Sequence, residues 1–252
     1  MRNILITGAS GSIGQALALQ YAAPDVTLVL LGRRVPALES LRHRCEARGA
    51  QVVVGAFDIT QIETLQRWVS MLEQTLAFDI VIVNQGININ IGADGKGESW
   101  EDTDHLFNVN LRAAIALVQA VLPGMRTRRA GQIVLISSLA AYFGLPATPA
   151  YCASKAALKS YGESLRGWLA PEGVGVSVVL PGYVESEMSA AMPGPKPWLW
   201  SAERAAAVIQ KGVARDQATI SFPFPLNVGT WLLSVLPMDW SIRLLRWMGY
   251  RA

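Results

Sequence analysis

Short runs of consecutive apolar residues recur along this chain, and each is followed by a helical pattern. The runs are Ile4-Leu5-Ile6, Val26-Thr27-Leu28-Val29-Leu30-Leu31, Val52-Val53-Val54, Ile80-Val81-Ile82-Val83, Ile133-Val134-Leu135-Ile136 and Val174 to Leu180, with a last short strand at Thr219-Ile220-Ser221. Residues 12–22, 36–48, 61–76, 103–122, 150–169 and 201–214 read as helices, the 103–122 helix being stopped by Pro123-Gly124. A strand apolar at every position has no water-facing side and must be covered on both faces. Such strands alternating with helices build a parallel sheet between two helical layers, joined by right-handed crossovers. The expectation is an α/β fold, a doubly wound parallel sheet of about seven strands.

A chain of 252 residues can bury that core without a disulfide or metal staple. No linker or repeat divides it, so residues 1–252 are read as one domain. Gly92-Ala93-Asp94-Gly95-Lys96-Gly97 is taken as a mobile loop inside it. Half of the residues are apolar and 16% are charged, which excludes general disorder. Cys45 and Cys152 stand far apart with no CxxC or Cys/His cluster, and the histidines are His43 and His105, so no metal is expected. The formal charge is 22 − 19 = +3. Residues 1–197 carry 16 basic and 16 acidic groups. The remainder carries Arg204, Lys211, Arg215, Arg243, Arg246 and Arg251 against Glu203, Asp216 and Asp239. Without a dense basic patch, nucleic acid is not an expected partner. Only Ile4-Leu5-Ile6 follows Arg2-Asn3, and no uninterrupted run of about 18 apolar residues occurs. A cytoplasmic protein is therefore expected.

The first strand runs into Thr7-Gly8-Ala9-Ser10-Gly11-Ser12-Ile13-Gly14, which opens a helix. Glycines there let backbone approach a pyrophosphate, and the helix N-terminus offers free N–H groups, as in a Rossmann-type nucleotide site. The alternative is a structural turn with no ligand. The second strand ends in Gly32-Arg33-Arg34, with arginines where an NAD site would place an acid for the ribose hydroxyl. Arg33 and Arg34 favour a 2′-phosphate, hence NADP(H) over NAD, unless they are a solvated surface pair. The third strand ends at Phe57-Asp58-Ile59, where Asp58 is read as an acceptor for the adenine amine, an N-cap for the next helix, or both. The fourth ends in Asn84-Gln85-Gly86, whose glycine admits a cofactor close to backbone.

Tyr151 and Lys155 lie four apart on a predicted helix and share a face. A nearby ammonium lowers a phenol's pKa toward the range useful for acid/base work. Ser138, after the fifth strand, is placed to hold a carbonyl beside the phenol. Asn110, on the long helix, is placed to position a water feeding protons toward Lys155.

Thr7 to Gly14, Asn84-Gln85-Gly86, Asn110, Ser138, Tyr151-Cys152-Ala153-Ser154-Lys155 and Pro181-Gly182-Tyr183-Val184 occur in an order and spacing that resemble the short-chain dehydrogenase/reductase family, shorter single-domain branch. The resemblance covers about residues 3–190. It implies reversible hydride transfer between a nicotinamide and a carbonyl or secondary alcohol. Tyr151 would be the general acid/base. Lys155 would lower its pKa and bind the nicotinamide ribose. Ser138 would orient the carbonyl and Asn110 would hold a relay water. Gly8, Ser10, Gly11, Ser12, Ile13, Gly14, Arg33, Arg34, Asp58, Ile59, Asn84, Gln85 and Gly86 would contact the cofactor, and Pro181, Gly182 and Val184 would wall the nicotinamide. Three positions depart from the usual pattern: Ser12 replaces a glycine, Gln85 replaces an alanine, and Ser186 replaces a threonine at the carboxamide. Gly8, Gly11 and Gly14 also fit the spacing of the longer nucleotide-sugar branch, so an epimerase or dehydratase is an alternative, as is a non-catalytic nucleotide sensor.

Residues 188–200 would form a lid, and its apolar, Pro-rich composition argues for an apolar carbonyl or alcohol substrate, with Phe143, Leu145 and Tyr183 as further walls. The amphipathic tail, 222–252, splits at Pro237. Trp240, Leu244, Trp247 and Met248 form one face, and Asp239, Arg243 and Arg246 the opposite one. Such a helix packs on the body or a subunit mate, or makes peripheral contact with a membrane surface. The family resemblance implies a homodimer or homotetramer built through the two long helices.

Overall fold

A computed structural model describes residues 2–92, 95–192 and 194–250. Ala93 and Asp94 of the glycine-rich loop, Pro193 of the expected lid and Arg251 of the basic tail lie outside the described residues. The strands are β1 (Arg2–Thr7), β2 (Val26–Gly32), β3 (Gln51–Ala56), β4 (Ile80–Val83), β5 (Gln132–Ile136), β6 (Gly175–Pro181) and β7 (Thr219–Phe222). They form one parallel sheet in the order β3-β2-β1-β4-β5-β6-β7, a Rossmann-type α/β fold as expected. After β3 the chain returns to the other side of β1, so a crevice opens beyond the carboxyl ends of β1 and β4. Ligands bind at such a reversal in open α/β sheets.

The period-two geometry of each strand explains its unbroken apolar run. Ile4, Ile6, Leu28, Leu30, Ile80 and Ile82 face one core. It is covered by α1 (Ser12–Tyr21), α2 (Val35–Glu46) and α8 (Ala202–Val213). Leu5, Val29, Leu31, Val81 and Val83 face the other. That one is covered by α3 (Ile62–Leu76), α5 (Ala113–Arg128) and α6 (Pro149–Leu169). Between α3 and α5 a buried carboxylate, Glu73, pairs with Arg128 and accepts the Phe78 amide at 2.9 Å.

The expected 103–122 helix is longer and interrupted. It begins as α4 (Trp100–Phe107), passes through a π turn at Asn108–Arg112, and continues as α5 through Pro123-Gly124 to Arg128. Pro123 withdraws the N–H that Gln119 would have received, but both residues lie on the exposed side, where water replaces the bond. Gly124 is not a stop signal either: a Cβ there would collide with the Glu73 carboxylate. The stretch Trp100–Arg128 has the length and hydropathy of a membrane span, yet Ala113, Leu117, Val121 and Met125 are buried against the sheet.

The tail forms α9 (Leu226–Val235) and α10 (Met238–Trp247), divided at Pro237 as the sequence indicates. The face of α10 that meets the body differs from the expected one. Ser241 and Leu245 are buried, whereas Trp240 is 63% and Trp247 82% exposed. Ser241 is small enough for close approach to α9 and donates to the Leu233 carbonyl at 2.8 Å. The indoles do not fit that seam. A short helix, α7 (Glu187–Ala191), precedes α8.

Candidate active site

The glycine turn is held by Asn84, whose amide donates to the carbonyls of Thr7 at 3.1 Å and Gly8 at 3.2 Å. Gly8 has a φ of +59°, and a Cβ on it would lie 2.9 Å from the Gln85 backbone. A Cβ on Gly14 would strike the Gly8 carbonyl and sit 2.8 Å from Ala9 Cα. Gly11 has ordinary extended backbone and only a 3.4 Å neighbour, and Ser12 is the first residue of α1. The middle glycine of the usual pattern is therefore dispensable here, while Gly8 and Gly14 are not. The N-terminus of α1 has no side-chain cap and no acidic residue in its first turn, so its N–H groups stay available to an anion.

Arg33 and Arg34 stand exposed where β2 ends. Arg34 donates to the Ser10 carbonyl at 2.5 Å and reaches the Glu187 carboxylate of α7 at 3.4 Å. Asp58 does not cap α3, whose N-cap is Gln61. Its carboxylate instead accepts the Thr60 amide at 2.9 Å and hydroxyl at 2.8 Å, closing a local turn. The Thr60 amide bond is the main cause holding the Asp58 carboxyl below its usual pKa, against opposing burial. Ile59 is buried in the core beside it.

Gln85 turns away from the crevice. Its side chain meets the Thr7 hydroxyl at 2.5 Å and the Val109 carbonyl at 3.5 Å, tying β1 to the π turn. Asn110, fully buried in that turn, accepts the Ile87 amide at 2.8 Å. It donates to the Ile87 carbonyl at 2.9 Å and the Ser154 hydroxyl at 3.1 Å. Its side-chain amide is thus committed to holding the strand end against α6.

Tyr151 and Lys155 share the buried face of α6. Ser138 caps a short 3-10 turn by accepting the Ala140 amide at 3.1 Å, and its hydroxyl lies beside the Tyr151 phenol, where it opposes the rise in the phenol's pKa. Lys155 Nζ donates to the Ile136 carbonyl at 3.0 Å and lies 5.8 Å from the Tyr151 ring centre. Burial dominates both groups. It pushes the phenol up to about 12, only partly opposed by Ser138. It pushes the lysine down to about 8. Burial, and not the expected lowering by the lysine, sets the direction of the phenol's shift here, while the ammonium donates to the Ile136 carbonyl. Burial also raises the Cys152 thiol, which accepts the Leu145 amide at 3.2 Å and acts as packing.

All four chemical residues border or underlie one cavity of about 630 Å³. Ser138, Tyr151 and Lys155 line it, with Asn84, Gly86, Ile13, Pro181, Gly182 and Val184 toward the sheet. Phe143, Leu145 and Tyr183 line it too, as do Met188, Met192, Pro197 and Trp198 of the lid segment. Ser186, the N-cap of α7, accepts the Ser189 amide at 3.0 Å. Ser189 also borders the cavity, with its Oγ buried and without a hydrogen-bond partner. Sequence reasoning missed the far wall: Leu226, Gly229, Thr230 and Leu233 of α9, Leu244 and Leu245 of α10, and Tyr250, whose hydroxyl accepts from Tyr183 at 3.4 Å. The i, i+3, i+4, i+7 spacing of the α9 set was visible, but nothing in it said which cavity it would face.

Known proteins resemble this chain in family and fold. The short chain dehydrogenase family model matches residues 2–195. An uncharacterized oxidoreductase of Myxococcus xanthus is 38% identical over 237 residues, covering 94% of this chain and 93% of its own. Among solved structures, a short-chain dehydrogenase from Sphingobium yanoikuyae in complex with NADPH superposes with a TM-score of 0.82 at 24% identity, covering 98% of this chain and 95% of its own. The bulky-bulky ketone specific alcohol dehydrogenase of Comamonas testosteroni gives 0.80 at 24% identity, covering 98% and 94%. The chain belongs to the short-chain dehydrogenase/reductase family, and is an NAD(P)-dependent oxidoreductase. Its uncapped α1 and its glycine cradle fit a dinucleotide.

Proposed function

We propose that this protein is an NADP(H)-dependent carbonyl reductase or alcohol dehydrogenase for a bulky apolar substrate. One observation carries the reading: the cavity that holds Ser138 and Tyr151 is walled mainly by apolar side chains, Met and Trp from the lid, Leu from α9 and α10, and Phe143 beside them, with Tyr183, Thr230 and Tyr250 adding hydroxyls. Such walls stabilise hydrocarbon and leave sugar hydroxyls unpaired. NADP(H) supplies or accepts the hydride when bound. Ser138 orients the carbonyl. Tyr151, protonated at neutral pH, donates its phenolic proton to the carbonyl oxygen during reduction and takes it back during oxidation. Lys155, with a pKa of about 8, is poised to restore that proton. Asn110 fixes the π turn beside which a relay water would sit. Arg33 and Arg34, with no acid at the end of β2, support the phosphorylated cofactor, as does the NADPH held by the Sphingobium yanoikuyae neighbour.

A ketone and alcohol panel with NADPH oxidation as readout tests this. Preference for long-chain or polycyclic ketones is expected, and preference for small polar sugars would reject the substrate class. Tyr151→Phe should lower turnover by about 10²–10⁴ with cofactor affinity retained; untouched turnover would reject Tyr151 as the acid, and no turnover with any ketone or alcohol would favour a sensor. Equal affinity for NADP and NAD in the wild type, or no change in Arg33→Ala, would reject the cofactor assignment. A homodimer or homotetramer through α5 and α6 is part of the same reading. It is supported by the half-exposed Trp168 of α6, over which Arg126 of α5 lies 5.1 Å from the ring centre. Light scattering on the purified chain checks it.

A further inference from the structure

We infer that the outer surface of α9 and α10 docks on an anionic lipid bilayer, the source from which the apolar cavity is loaded. The inference rests on the apolar-substrate reading above. Helix α9 carries no charged residue, and its polar side chains Asn227, Thr230 and Ser234 bond back within the chain. Its inner stripe, Leu226, Gly229, Thr230 and Leu233, lines the cavity. Its opposite stripe, Val228, Trp231, Leu232 and Val235, is 44 to 58% exposed. A helix with apolar stripes on two opposite sides is most stable with apolar surroundings on both, and here the outer stripe meets only solvent. Helix α10 repeats the arrangement. Leu244, Leu245 and Met248 line the cavity, while Trp240 and Trp247 share an outward stripe at i and i+7. The exposed Phe224 and Met238 stand at the N-terminal ends of the two helices. The wall between cavity and surface is thus one helix thick, and both of its faces are apolar.

The charge pattern selects the occupant. In place of the opposite faces expected, Arg243 stands one helical turn from both indoles of α10, three residues after Trp240 and four before Trp247, with exposed Arg246 nearby and Asp239 the single acid on either helix. Indole and guanidinium side by side are the composition of a surface lying at the headgroup level of an anionic bilayer. A second copy of the chain fits less well. A two-fold interface sets the same patch against itself, and would bring Arg243 and Arg246 of both copies together.

The experiment is vesicle co-sedimentation of the full chain with phosphatidylglycerol and with phosphatidylcholine vesicles, alongside Trp240→Ser/Trp247→Ser and, as a control, Trp100→Ser. Trp100 is 81% exposed on α4. The wild type should sediment with the anionic vesicles and more weakly with the neutral ones, and added salt should narrow the difference. The double variant should lose about tenfold in vesicle affinity while binding NADPH like the wild type, and Trp100→Ser should bind vesicles normally. The inference is overturned if the wild type sediments with neither vesicle, if the double variant binds as well as the wild type, or if light scattering shows that the double variant only breaks a dimer. Because no turnover is measured, vesicle binding succeeds or fails independently of the substrate panel.

Discussion

Replacing Lys155 with methionine removes an ammonium that the fold holds away from water. In the native chain burial brings this lysine from the usual 10.5 down to about 8. The gap of about two and a half pKa steps corresponds to about 3 kcal/mol at 1.36 kcal/mol each. The unfolded chain keeps its proton up to about 10.4, the folded chain only to about 8, so between those values the unfolded state binds more protons. Stability then rises with pH across that window. At pH 7 the wild type carries nearly the whole burden of the buried charge, and by pH 10 most of it has been relieved. Methionine, similar in length and never charged, carries none. Urea unfolding followed by tryptophan fluorescence at pH 7, 8, 9 and 10 should therefore show the wild type gaining about 2–3 kcal/mol on Lys155→Met. Groups such as Tyr21 and Cys45, also shifted by burial, are common to both proteins and cancel in the difference. Parallel stability curves over that range would refute the assignment of a strained, desolvated lysine.

Other consequences follow from the same geometry. The rate of ketone reduction should fall as pH rises through about 8, where the buried Lys155 loses its proton, and a stopped-flow or steady-state pH profile checks this. Gly14→Ala should abolish cofactor binding and lower stability, because its Cβ meets Ala9 backbone at 2.8 Å; Gly11→Ala, with its nearest contact at 3.4 Å, should bind cofactor within about threefold of the wild type by titration. Glu98 accepts the Ala150 amide at 3.0 Å at the start of α6, where Thr148 makes no side-chain cap. Glu98→Ala should cost about 1 kcal/mol and slow turnover several-fold without changing cofactor affinity, and Glu98→Gln should restore most of it.

The sheet was legible because its strands are apolar at every position, a pattern that leaves one architecture open. The chemical residues were legible because Ser138, Tyr151 and Lys155 sit at fixed offsets from a strand end and along one helix, and the structure brings them to one cavity. What the chain did not disclose depended on contacts distant in sequence. Pro123-Gly124 looks like a stop until Glu73, 51 residues earlier, is placed against Gly124. Gln85 reads as a cofactor residue until Thr7 and Val109 are seen to claim its amide. Local pattern also says that α10 has an apolar side, but the seam it packs into is decided by the small Ser241 meeting Leu233. The direction of the lysine and phenol shifts was hidden for a related reason. Helical spacing reports that two groups are neighbours and says nothing of how much water reaches them.

The bond from Asn110 to Ser154 continues from Ser154 Oγ to the Tyr151 carbonyl at 2.8 Å. On its other side Asn110 grips Ile87, two residues beyond the Gln85 that clasps Thr7. The glycine turn, the strand end, the π turn and the catalytic helix are in this way a single trussed frame. The substrate wall is different: among the described residues α9 and α10 contribute side chains to the cavity but no strut to that truss, and α7 reaches it only through the exposed Arg34–Glu187 pair. Such a body can be refitted for a new substrate by redecorating three short helices, with the machinery that moves the proton left as it stands.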